Sequence, residues 1–235
     1  MTATVSAPTV RAAGEQGPSL VWSAIISAGL FAVSLVIGAV FGGAVYSSPF
    51  VDDATIQRYY ADHATLVQWI AFFQFAAAIA LAVFVAALWA RLRALAPEQA
   101  GLTYTAVAGG VAAALFLALN AVVQWSVSHP LVIESAPVRR GLHYLYFALG
   151  GFAYVAAIGL CVAAVSLVAL RARLLPGWFN AASLVVAGLG LASTLTFVTE
   201  STTLLIPLGR FPALLWQLAL AYLLPKAVRD VRAAG

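Results

Sequence analysis

His63, Gln74, Asn120, Gln124, His143, Tyr146, Tyr154 and Glu200 are the side chains most able to do chemistry. Each falls within or beside a long apolar stretch. In hydrocarbon a polar group is costly unless it finds a partner, about 2.5–3.5 kcal/mol for a charge at the bilayer centre on insertion scales. Such residues imply either hydrogen bonds between helices or contact with a polar guest. Spacing groups them. Asn120 and Gln124 are four apart and share a helix face. His63 and Gln74 are eleven apart, close to three full turns, and His143 and Tyr154 repeat that separation. Tyr146 lies three residues beyond His143. Two stripes of this kind predict a polar cavity between spans two to five.

Other chemistries fit less well. An acid such as Glu200 or Asp62 with a histidine base would suit an intramembrane enzyme acting on a lipid or isoprenoid. A carboxylate in the position of Glu200 also suits a helix N-cap. Zinc needs three or four ligands, and the only histidines are His63, His129 and His143, with no H-E-x-x-H pattern. No metal, haem or other cofactor is therefore expected. The sequence has no P-loop, no G-x-G-x-x-G following a strand, no G-x-S-x-G and no mid-span lysine. The lone cysteine, Cys161, excludes an internal disulfide and sits among apolar neighbours as a buried thiol.

The elements that must position these groups are membrane spans. The chain has 235 residues, 63% hydrophobic and 9% charged, against about 25% charged in a soluble domain. About 20 apolar residues cross a bilayer as a helix. The windows 20–46, 64–90, 102–126, 142–170, 178–199 and 203–225 all reach that length. They predict an all-α, polytopic membrane bundle of six transmembrane helices. Residues 1–18 read as a disordered cytoplasmic tail, 19–226 as the transmembrane domain and 227–235 as a short basic tail. Breaks are expected at Pro49, Pro97, Gly101, Pro130, Pro137, Gly141, Pro176 and Gly177. Pro207 and Pro212 are expected to bend the last span. The segment 47–63 predicts a short amphipathic helix on the membrane surface, capped by Asp52 or Asp53, with Ile56, Tyr59 and Tyr60 on its apolar side.

Arginine and lysine set the orientation. With both termini cytoplasmic, eight lie in inner segments and four (Arg58, Arg139, Arg140 and Arg210) in outer loops. The basic residues cluster at helix ends, which excludes nucleic acid as a partner. This orientation places Gln68, Gln74, Asn120, Gln124, His143, Tyr144 and Tyr146 in the outer halves of their spans. Ser193, Thr194, Thr196, Thr199 and Glu200 join them in the fifth. The inner halves are almost purely apolar, Gln217 being the main exception. Helix contact should rest on Gly38-x-x-x-Gly42, Gly109–Gly110, Gly150–Gly151 and Gly188-x-Gly190. A faint repeat at an offset of 80 residues aligns His63 with His143 and Arg91-Leu-Arg93 with Arg171-Ala-Arg173.

The outer segment Asp53-Ala-Thr-Ile-Gln-Arg-Tyr-Tyr-Ala-Asp-His63, the helix ending Trp89-Ala-Arg-Leu-Arg-Ala-Leu95 and the helix entry Arg140-Gly-Leu-His-Tyr-Leu-Tyr146 carry a resemblance. In these segments the chain resembles a broad group of uncharacterised small bacterial six-span membrane proteins. The resemblance implies the six-span fold and brings no activity or catalytic residue. The expected protein is thus multi-pass in the cell membrane, with the lipid bilayer and a small amphipathic ligand or lipid as partners. Binding or transport of that molecule in an outward-facing pocket is the leading expectation. The alternatives are the lipid enzyme and an accessory subunit or scaffold.

Overall fold

The computed structural model describes residues 17–41 and 49–224. The expected tails before residue 17 and after residue 224, Gly42 and the first residues of the outer segment lie outside them. Among the described residues there is no strand. The helices are α1 (Leu20–Phe41), α2 (Asp53–Leu95), α3 (Ala100–Val127), α4 (Pro130–Glu134), α5 (Ala136–Ala148), α6 (Tyr154–Arg171), α7 (Gly177–Ala192) and α8 (Leu205–Leu223). They make six membrane-crossing segments: Leu20–Phe41, Asp53–Leu95, Pro97–Val127, Ala136–Arg171, Gly177–Phe197 and Glu200–Leu223.

Local chemistry explains most boundaries. Asp52 caps α2, accepting from the Thr55 amide at 2.9 Å and the Thr55 hydroxyl at 2.6 Å. Those bonds hold the Asp52 carboxyl below the usual carboxylate range. Pro130 and Pro137 open α4 and α5, where a missing N–H costs nothing. Gly101 and Gly141 do not break the chain; they lie inside α3 and α5, in open space.

The amphipathic outer helix exists, but it is continuous with the second span. α2 runs for 43 residues, about 65 Å, roughly twice the ~30 Å hydrocarbon thickness. Only His63, with φ −124° and ψ 21°, departs from helical geometry and separates the two parts. Ile56 and Tyr60 pack with Val67, Val127 and Ile133 in a small cluster beneath this end of the bundle.

Each span packs on the next in sequence, and α8 returns to α1. The fourth span is the innermost: 67% of its apolar window is buried, against 33–50% for the others. Its small residues make that position possible. Gly159 of α6 meets Gly190 of α7, and Gly190 meets Gly209 of α8, so three backbones approach closely. Gly188, two residues away, faces open space.

Two irregularities shape the interior. A single π turn, Leu149–Ala153, joins α5 to α6, with Gly151 at φ −81° and ψ −113°. π turns re-aim the side chains that precede them. The fifth span ends as α-helix at Ala192 and continues as a 3-10 turn over Ser193–Phe197, and a second 3-10 turn, Glu200–Thr202, opens the sixth.

Candidate functional site

Three side-chain pairs tie the second, third and fourth spans together. Asn120 donates through Nδ2 to Gln74 Oε1 at 2.7 Å. Gln124 donates through Nε2 to the Tyr146 hydroxyl at 3.2 Å. Tyr60 Oη lies 2.8 Å from His143 Nδ1. All six residues are buried, at 1–5% exposure. The structure thus brings together Gln74, Asn120, Gln124, His143 and Tyr146. Tyr60 joins them, although its sequence context marked it only as an apolar anchor. These groups meet each other directly rather than across an open space. Asn120 fits because Gly150 of the π turn has no side chain; a Cβ there would collide with the Asn120 amide. The remaining Asn120 and Gln124 carbonyl oxygens are buried and without a hydrogen-bond partner.

This layer has the character of interhelical glue, so its test is a double-mutant cycle. Gln74→Leu and Asn120→Leu, singly and together, should show a favourable coupling of about 0.6 kcal/mol and no more than ~1.7 kcal/mol in unfolding experiments. Strict additivity would mean the pair is not formed.

The other sequence candidates are placed differently. His63 bonds the Tyr59 carbonyl at 3.1 Å and stacks on the Tyr59 ring, at the bend of α2. The aligned histidines of the faint repeat therefore occupy unlike environments. Glu200 and Asp62 are exposed. Thr199, not Glu200, precedes the 3-10 turn as its cap residue. Ser193, Thr194 and Thr203 donate to the carbonyls of Gly190, Leu191 and Glu200 at 2.6–2.7 Å. Those hydroxyls serve the loosened turns that join the fifth span to the sixth. The opposite half of the bundle is also less apolar than expected. Thr103, Ser166, Asn180 and Ser183 are buried there, each donating to a carbonyl of its own chain segment. Pairing between buried side chains of different helices, by contrast, is found toward the end where α2 begins and α3 finishes. Among the described residues no group of three His, Cys, Asp or Glu side chains could hold a metal.

Two arginines expected in outer loops are built into the structure instead. Arg139 is buried at 1% exposure, pairs with the half-exposed Asp53 and donates to the Ile133 carbonyl. Its neighbour Arg140 donates to the Val51 carbonyl at 2.8 Å and lies over the Tyr144 ring. This clamp ties the start of α2 to α5.

Arg210 lies within α8, between Pro207 and Pro212. Its guanidinium carbon is 5.7 Å from the Phe31 ring centroid and 5.6 Å from that of Tyr154. Those two rings stack on each other at 6.3 Å, joining the first and fourth spans. Among the described residues no carboxylate pairs with Arg210, and its Nε is buried without a hydrogen-bond partner. Ring contacts of this kind return about 0.5–2 kcal/mol each. That offsets part of the cost of placing a charge inside the membrane. The clue in the sequence was a charge between two prolines inside an apolar window, which loop counting concealed.

Beside Arg210 is a cavity of about 220 Å³ lined by Leu35, Phe147, Gly151, Thr203, Ile206 and Phe211, with Pro207 and Arg210. A larger groove of about 650 Å³ runs between α2 and α3 along Trp69, Phe72, Phe75 and Trp125. Its walls are aromatic and exposed to the membrane side, with Gln68 as its polar side chain. It offers little to orient a guest, whereas the smaller cavity combines an apolar wall with a fixed cation.

Comparison with protein-family models, with curated proteins and with solved structures finds no match to this chain. The class therefore rests on the molecule itself. Six helices of this length and apolarity define a multi-pass integral membrane protein.

Proposed function

We propose that this protein binds a small amphipathic molecule or lipid within the membrane, at the cavity between the first, fourth and sixth spans. The observation that carries the reading is Arg210, an intramembrane cation beside a small cavity that is otherwise mostly apolar. At about 220 Å³ the space suits a head group and a few methylenes rather than a whole drug-sized ligand. Leu208 and Phe211, exposed on the same helix, extend an apolar track along which a tail would lie in the bilayer. Tyr154 belongs to this site through its contact with Arg210. The paired layer of Gln74, Asn120, Gln124, Tyr146, Tyr60 and His143 supports it by fixing the spans behind it. In this reading both termini are cytoplasmic, the protein resides in the cell membrane, and the cavity opens toward the outer leaflet.

Native mass spectrometry of protein purified in mild detergent tests the reading. The wild type should retain one small molecule or lipid per chain. Thr203→Trp, which fills the cavity from its rim, should lose it while remaining folded by circular dichroism. Equal retention by both proteins would count against this cavity.

A further inference from the structure

We infer that the site selects an anionic head group, a carboxylate or phosphate ester on an apolar chain; this rests on the proposed binding function. Three features point the same way. The cation is fixed: Arg210 packs against the stacked pair Phe31–Tyr154, which leaves it few alternative positions. It has no carboxylate partner among the described residues, and Nε is buried and without an acceptor. A guanidinium presents its N–H donors as a planar fork that matches a carboxylate or phosphate.

The second feature is the helix face. Ile206 and Arg210, four residues apart on α8, both line the cavity, so the cation belongs to its wall. The third is depth. Arg210 lies five residues into α8, about 7.5 Å along the axis from its start. That is within reach of a head group held near the membrane interface while its chain runs toward the bilayer centre. The Thr203 hydroxyl, also on the lining, gives its proton to the Glu200 carbonyl at 2.6 Å, so recognition of an anion falls to Arg210. A cationic or neutral head group would leave the arginine unpaired, so discrimination comes from the unsatisfied charge.

The experiment uses amphiphiles of one chain length: dodecyl phosphate, dodecanoate, dodecanol and dodecyltrimethylammonium. Affinity is read for wild type, Arg210→Lys, Arg210→Gln and Thr203→Trp in neutral detergent. Wild type should bind the two anions at least tenfold more tightly than the alcohol and the ammonium. Rising ionic strength should shrink that preference. Arg210→Gln should abolish it, and Arg210→Lys should keep part of it. A parallel measurement in nanodiscs of phosphatidylcholine, with and without phosphatidylglycerol, separates a phospholipid head group from a single-chain acid. Competition by phosphatidylglycerol assigns the former, and undiminished dodecanoate binding the latter. Equal binding of all four amphiphiles, sensitive to Thr203→Trp, would overturn the charge preference and leave the binding reading standing. Binding of none would overturn both. Because the wild-type panel decides the point alone, a folding defect in Arg210→Gln does not rescue the proposal.

Discussion

Asp53→Ala should destabilise the protein by about 3 kcal/mol, an unusually large loss for a half-exposed surface carboxylate. The reason is asymmetry within the pair. Arg139 is buried, and Asp53 is its counter-ion. Removing Asp53 strands a guanidinium away from water, whereas removing Arg139 leaves a carboxylate that water can still reach. Arg139 also donates to the Ile133 carbonyl, so its loss leaves that acceptor wanting as well. The double variant Asp53→Ala/Arg139→Met should therefore be more stable than Asp53→Ala alone, since no unpaired charge remains. Reversible unfolding in detergent, followed by circular dichroism, measures all three. An effect of Asp53→Ala below ~0.5 kcal/mol would show that the ion pair carries little.

Gly190→Ala should cost about 1–3 kcal/mol, while Gly188→Ala on the same helix should be close to neutral. A Cβ on Gly190 would come to 2.9 Å from the Val155 carbonyl and 3.1 Å from the Gly159 Cα. Both are backbone atoms, so no side-chain rotation relieves the overlap and the helices must separate. Gly188 has open space around it and gains a better helix former. The comparison of melting temperatures is internally controlled, because both changes add one methyl to α7. Equal melting temperatures would mean that the close meeting of α6, α7 and α8 is not needed for stability.

The sequence pairs Gly188 with Gly190 as one motif, yet the structure uses only the second. Small size is legible in a sequence; which helix face meets a neighbour is not. Helix rotation is set by the sum of contacts around each span. The same limit explains the polar residues. That Gln74, Asn120, Gln124, His143 and Tyr146 are unusual in their surroundings follows from hydropathy alone. Whether they surround a space or join each other depends on distances between helices far apart in sequence. Gln74 and Asn120 are 46 residues apart and end 2.7 Å from each other.

By itself the sequence determined the six spans, the all-helical class and a helix capped by Asp52 or Asp53, because these follow from the cost of exposed backbone in lipid and from local capping. Arginine shows the other side. Counting placed Arg139 and Arg210 in outer loops; the fold buries one against Asp53 and rests the other on Phe31 and Tyr154. A charge enters a membrane protein only where partners from other spans meet it. That meeting is a property of the packed bundle alone.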